Sequence, residues 1–182
     1  MFRPAFACSI PKTHDKIGLT TLSSTPPDLF RTVCGRFATG VAVAACLDAS
    51  GIPHGLTVNS FTSVSLEPPL VLVCLDHKVQ SLAAFQSAPG FSINILRADQ
   101  QDLSRRFSSV VEDRFENLDW TRGEHTGSPL FSAALATLEC RREQVIPAGD
   151  HSIFLGRVVH ARCTDGEPLL YFAGRYSWLA PR

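Results

Sequence analysis

Gly55-Leu-Thr-Val-Asn-Ser-Phe-Thr-Ser-Val-Ser65 is the stretch on which the fold turns. Polar residues recur at Thr57, Asn59, Ser63 and Ser65, interleaved with apolar ones. On a β-strand this spacing puts hydroxyl and amide groups on one face. Buried polar groups without partners cost ~1–3 kcal/mol each, so water or a ligand must satisfy them. An amphipathic edge strand with Ser and Thr outward accounts for the segment alone about as well. Its place between two apolar runs, followed at once by Glu67-Pro68-Pro69, favours a polar ligand.

The flanking sequence reads the same way. On the amino-terminal side, Val41 to Leu47 is a short apolar run, and Asp48-Ala-Ser-Gly51 is a turn into Pro53 to Phe61. On the other side, Leu70 to Leu75 has buried-strand composition, and Phe91-Ser-Ile-Asn-Ile95 alternates like a half-buried strand. Three more strand-like stretches follow: Leu135 to Val145, Ser152 to Cys163 and Leu169 to Tyr171. Thr164 to Glu167 is a turn signal between the last two. Helical spacing is confined to short segments. The first has Asp28 as N-cap, then Phe30, Val33, Cys34 and Phe37, and is stopped by Gly40. The second is Val79 to Ser87, with Leu82 and Ala83 inward. The third is Ala98 to Phe107, carrying Leu103 and Phe107. Val110 to Ser128 is charged and aperiodic. Many short strands without βαβ alternation predict a β-barrel rather than a parallel sheet.

The chain has 182 residues, 45% hydrophobic and 19% charged, with seventeen basic residues balancing seventeen acidic ones. That length predicts one domain with its own core, placed at residues 28–182 after a flexible arm of residues 1–27 rich in Ser, Thr, Pro and Lys. Zero net charge argues against a protein that grips nucleic acid by neutralising phosphates. No apolar run approaches the roughly 18 residues of a membrane span. Six cysteines, none in a Cys-x-x-Cys pair, predict reduced structural thiols and a cytoplasmic protein rather than zinc or disulfides.

Several chemistries are missing. There is no Gly-x-Gly-x-x-Gly after a strand and no P-loop. Asp150-His151-Ser152 holds the residue types of a hydrolase triad, but neighbours on an extended backbone diverge. Asp76-His77 lacks a second histidine at metal-ligand spacing, and no metal site is expected.

The string GLTVNSFTSVSLEPPLVLVCLD, from Gly55 to Asp76, resembles the signature of the short-chain flavin reductases, the reductase components of two-component flavin-dependent monooxygenases. RFATGVAV from Arg36, AGDHSIFLGRV from Ala148 and PLLYFAGRY from Pro168 match in order. The resemblance runs from Leu29 to Leu179. It implies a Greek-key split β-barrel, a homodimer, FMN or FAD as cofactor, and NADH or NADPH as co-substrate. Reduced flavin would pass to a partner monooxygenase.

By position, the resemblance sets the flavin against Thr57, Val58, Asn59, Ser60 and Phe61. It sets Ser63 and Val64 at the phosphate end, Asp76, Lys78 and Ser81 in the next loop, and Asn94 and Phe107 close by. His151 corresponds to the residue that meets the nicotinamide, alongside Gly174, Arg175 and Tyr176. A rim histidine bonded to Asp150 is the alternative role for His151, Tyr176 fits an ordinary barrel or interface aromatic equally well, and Phe172 reads as one. Lys78 is followed by Val79 and Gln80, with only Ser81 small and polar, which leaves FMN against FAD open. Two other activities fit the same scaffold: a non-catalytic flavin-binding electron carrier, and a flavin-dependent oxygenase.

Overall fold

The computed structural model describes residues 25–111 and 113–179. Cys8 and most of the arm expected at 1–27 lie outside the described residues. A first helix, α1 (Pro27–Cys34), leads into β1 (Thr39–Gly40), β2 (Ala42–Leu47), β3 (Pro53–Val58), β4 (Thr62–Leu66) and β5 (Pro69–Asp76). Then come α2 (Leu82–Ser87), β6 (Gly90–Ile95), α3 (Gln101–Ser108), β7 (Trp120–Arg122) and β8 (Pro129–Phe131). Two long strands, β9 (Ala136–Ala148) and β10 (His151–Cys163), precede β11 (Leu170–Phe172) and β12 (Arg175–Ser177).

Seven antiparallel strands form the main sheet in the order β3-β2-β6-β9-β10-β5-β4. Its two edges, β3 and β4, are consecutive in the chain and joined by Asn59-Ser60-Phe61 alone. A flat sheet of seven strands would hold its edges roughly 29 Å apart at the usual strand spacing. So short a link reaches no more than about 15 Å. The sheet must therefore curl until its edges meet, which makes the mainly β split barrel expected above. Ser60 stitches the seam: its Oγ accepts the Cys74 N–H and donates to the Cys74 carbonyl, both at 3.0 Å. A side chain thus supplies β5 with the partner that a neighbouring strand would otherwise provide.

Period-2 alternation divides the apolar residues between two cores. Ala42, Ala44 and Cys46 of β2 face the barrel interior with Val71, Val73, Leu75, Phe91, Ile93 and Phe154. Val43 and Ala45 face the opposite way, against Phe107 of α3 and Phe115 and Phe131 of the 113–131 segment. Glycine permits the closest approach in each layer. A Cβ on Gly156 would lie 2.5 Å from the Phe91 ring, and one on Gly55 would lie 2.8 Å from Phe107.

The structure departs from the sequence reading at particular points. Residues 55–65 are not one strand: the chain breaks at Asn59–Phe61, and a bulge between Ser63 and Ser65 shifts the register. The polar residues therefore do not share a face. β6 is buried on both faces, because Ser92 and Asn94 lie under β8. α1 is capped by Pro26 rather than Asp28 and ends at Gly35, whose N–H bonds Arg31 O, well before Gly40. In α2, Leu82 packs against the core as expected and Ala84 and Phe85 are buried beside it, while Ala83 is exposed. Thr164 to Glu167 carries the chain to β11 in the small β1-β11-β12 sheet and closes no hairpin.

Replacing Ser60 with Ala leaves the Cys74 N–H and carbonyl unpaired at the seam. Urea unfolding should show a loss of about 1–3 kcal/mol. An unchanged midpoint would mean that the seam is held elsewhere.

Candidate functional site

The seam is also where the surface opens. Four cavities adjoin one another there through shared lining residues. A slot of about 240 Å³ lies between Thr39, Gly40, Val58, Asn59, Phe61 and Ile95. Val58 and Asn59 continue into a cavity of about 230 Å³ with Thr57, Ser104, Tyr171 and Tyr176. Thr57 and Ser108 lead on to about 310 Å³ beside Lys78, Gln80 and Phe107. Gln80 and Arg114 open into about 550 Å³ at His54, Gly55 and Ser81. This run of adjoining cavities along the Thr57–Asn59 ridge is the candidate groove.

Local packing shapes its walls. Because Gly55 lets Phe107 lie against β3, α3 comes close enough for Thr57 Oγ1 to donate to the Ser104 carbonyl at 2.6 Å. Ser104 Oγ in turn bonds the Tyr176 hydroxyl at 2.9 Å, and the Arg105 guanidinium sits 5.9 Å from the centre of the Tyr176 ring. Tyr171 packs edge-on against Tyr176. This fixes an aromatic wall opposite the ridge.

Two buried side-chain oxygens among the described residues have no hydrogen-bond partner: Thr39 Oγ1 and Ser81 Oγ. They lie at opposite ends of the groove. Orphaned buried hydroxyls are costly and rare in native proteins, so a ligand with polar groups at both ends would satisfy both. Between them the walls are mostly apolar. A flat heterocycle with a polar edge and an anionic tail, such as a flavin nucleotide, matches this chemistry: Lys78 offers a cation beside Ser81, and Asn59 offers an amide beside Thr39.

The candidates named from the sequence fall into three groups. Thr57, Val58, Asn59, Phe61, Lys78, Ser81 and Tyr176 line the groove. Phe107 lines it too, as an almost wholly buried floor in T-shaped contact with Phe115. Ser60 sits between Asn59 and Phe61, with its hydroxyl committed to Cys74.

His151 and Asp76 line none of the four cavities; Asp76 reaches them only through Lys78. The two are cross-strand partners, and Asp76 Oδ1 accepts the Lys78 N–H at 2.8 Å. His151 Nδ1 lies 2.7 Å from Asp150 Oδ1. The two neighbours meet, contrary to the extended-backbone expectation, because Gly149 (φ 65°) and Asp150 form a turn. The hydrogen bond from His151, helped by its charge, holds Asp150 below the usual carboxylate range. A carboxyl lowered in this way stays ionised through neutral pH. Protonation of the carboxyl as pH falls through the lowered value removes its charge from the pairing. Ser152 bonds His77 at 3.0 Å instead, so no triad forms.

The remaining candidates do not enter the groove. Asn94 is fully buried and serves the fold. Its Nδ2 donates to the Val43 and Pro129 carbonyls and to Ser92 Oγ, and its Oδ1 accepts the Phe131 N–H at 2.8 Å. Ser63 and Val64 lie exposed on the β4 edge. Gly174 sits exposed in the β11–β12 turn, and Arg175, exposed too, opens β12 opposite Phe172. Thr39, Ser104, Ser108, Gln80 and Arg114 line the groove without having been named. For Ser104 and Ser108 the signal was present: they stand four apart on α3, flanking Phe107.

A separate cleft of about 360 Å³ lies between β7–β8 and the β9–β10 pair. Its buried Glu139 already accepts the His125 and Thr126 N–H groups and the Thr126 hydroxyl. That carboxylate fixes a loop. Among the described residues no cluster of three or more metal-ligating side chains occurs, and no helix is long and apolar enough to cross a membrane.

The family model for the flavin reductase like domain matches residues 34–180. A Rhizobium meliloti protein named "Probable flavin reductase" is 45% identical over 150 residues, 82% of this chain, which spans only about half (48%) of that relative. The Rhodococcus jostii flavin-dependent monooxygenase reductase subunit HsaB is 38% identical over 165 residues, covering 90% of this chain and 84% of that protein. The solved structure of the Streptomyces globisporus NADH:FAD oxidoreductase SgcE6, in complex with NAD and FAD fragments, is 40% identical with a TM-score of 0.79. It aligns over 84% of this chain and 92% of that one.

Asn94→Ala should cost ~3 kcal/mol or more by stranding several buried groups. The folded fraction should bind flavin with unaltered affinity. A specific loss of affinity in a stably folded variant would return Asn94 to the site.

Proposed function

Because the chain belongs to the flavin reductase-like family, we propose that it is an NAD(P)H-dependent flavin reductase. On this reading it passes hydride to FMN or FAD and yields reduced flavin to a separate monooxygenase. The relative HsaB, a monooxygenase reductase subunit, supports that partner class. The observation that carries the reading is the seam groove, walled by Thr57–Asn59 and Tyr176 and ended by two unpartnered hydroxyls.

A bound flavin supplies the hydride acceptor and the nicotinamide the hydride, so no protein nucleophile is needed. The chain's residues bind and orient. Thr57, Val58 and Asn59 form the ridge against which the ring lies, with Tyr176 facing it. Ser60 holds the ridge through Cys74 and offers the ring its backbone. Lys78 and Ser81 receive the phosphate, Lys78 as a point charge. Asp76 positions Lys78 through its backbone N–H. His151, oriented by Asp150, contacts the nicotinamide carboxamide from the rim, and Arg175 and Gly174 shape the same side.

The reading includes a homodimer. Leu29, Phe30 and Val33 leave the apolar face of α1 exposed, and Phe37 just after it is exposed too. Val64 and Leu66, the latter 89% exposed, are likewise uncovered on the free β4 edge. A second copy would cover such surfaces and bring Ser63 and Val64 against a partner. The reading also includes a cytoplasmic location. Cys46 and Cys140 are free thiols pushed up to about 12 by burial, which suits inert structural cysteines.

Anaerobic stopped-flow mixing with NADH tests the assignment. His151→Ala should slow flavin reduction about tenfold or more while leaving the flavin dissociation constant near that of the wild type. Asn59→Ala should weaken flavin binding. Flavin that stays oxidised in the wild-type protein would instead favour an electron carrier and contradict the proposal.

A further inference from the structure

We infer that Thr39 is a ligand-contacting residue of the flavin site, its hydroxyl hydrogen-bonding the polar edge of the flavin ring. The inference rests on the flavin reductase reading and adds a residue to it. Thr39 lies on β1, opposite Tyr171 of β11, in the same small sheet that carries Tyr176. Its Oγ1 is shielded from bulk solvent and finds no protein partner.

The surroundings make a ligand the natural partner. Val41, Ala42, Val58, Phe61 and Ile95 give the 240 Å³ slot apolar walls, and Thr39 and Asn59 are the lining residues with polar side chains. An apolar cleft with a few convergent polar groups is the usual form of a site for a flat heterocycle. Asn59 at the ridge and Thr39 across the slot can grip one edge of such a ring from two strands. Ser81, the other orphaned hydroxyl, lines a different cavity, and Lys78, three residues before it, suits the anionic tail.

An orphaned hydroxyl has a signature that a structural one lacks. Deleting a hydroxyl that no protein group uses leaves ligand-free stability unchanged or improved, because no partner is stranded. Deleting one that a ligand uses weakens the ligand. Thr39→Val keeps the shape and removes the hydroxyl, whereas Thr39→Ser keeps the hydroxyl.

The experiment is titration of FMN and FAD into wild type, Thr39→Val and Thr39→Ser, read by flavin fluorescence, with urea unfolding of each protein free of flavin. Thr39→Val should raise the dissociation constant about 3- to 10-fold with an unfolding midpoint at or above that of the wild type. Thr39→Ser should bind within about twofold of wild type. Wild-type affinity in Thr39→Val overturns the assignment alone, as does a lowered ligand-free midpoint, which would reveal a structural partner. Absence of flavin binding by the wild type overturns the flavin reading and the assignment with it.

Discussion

Everything in this molecule depends on the closure of one sheet at a three-residue link. β3 and β4 are the outermost strands of seven, yet only Asn59, Ser60 and Phe61 join them. That constraint forces the curl, and Ser60 completes it by acting toward Cys74 as a strand neighbour would. The barrel interior fills because its strands alternate, and the outer layer forms because β2 and β6 present buried residues on both faces. Closure has a second effect. A seam between strand edges leaves backbone and side chains that no ladder can satisfy, and there the groove opens.

Binding surface and structural joint therefore share residues. Thr57 contributes its hydroxyl to α3 and its flank to the groove. Tyr176 is tied to Ser104 and lines the same cavity. A site built this way is set by the fold before any ligand arrives, which lowers the ordering cost of binding. The orphaned hydroxyls of Thr39 and Ser81 are the complementary sign: the chain tolerates their cost where something else is to meet them.

Much of this was legible in the sequence, for identifiable reasons. Turn residues and short apolar runs marked β2, β5, β9 and β10 within a few residues, and the polar rhythm around Asn59 pointed to the groove. That rhythm misled in one respect. A period-2 pattern cannot reveal that the chain leaves one sheet edge at Val58 and joins the other at Thr62. Asn94 was set close to the flavin by the resemblance alone, position for position. Its partners, Val43, Pro129 and Phe131, come from distant segments that local spacing does not encode. Thr39 was passed over for the converse reason: a lone threonine before a glycine carries no local signal, and its missing partner is visible only in three dimensions.

Amide hydrogen exchange of the whole protein, with and without saturating FMN, addresses the central claim most directly, since it reports where the ligand sits without altering a residue. This account predicts slowed exchange concentrated at 57–61 and 78–82, at the seam and the loop after β5. Protection centred instead on residues 121–139, around Glu139 and His160, or none anywhere on the barrel, would contradict it.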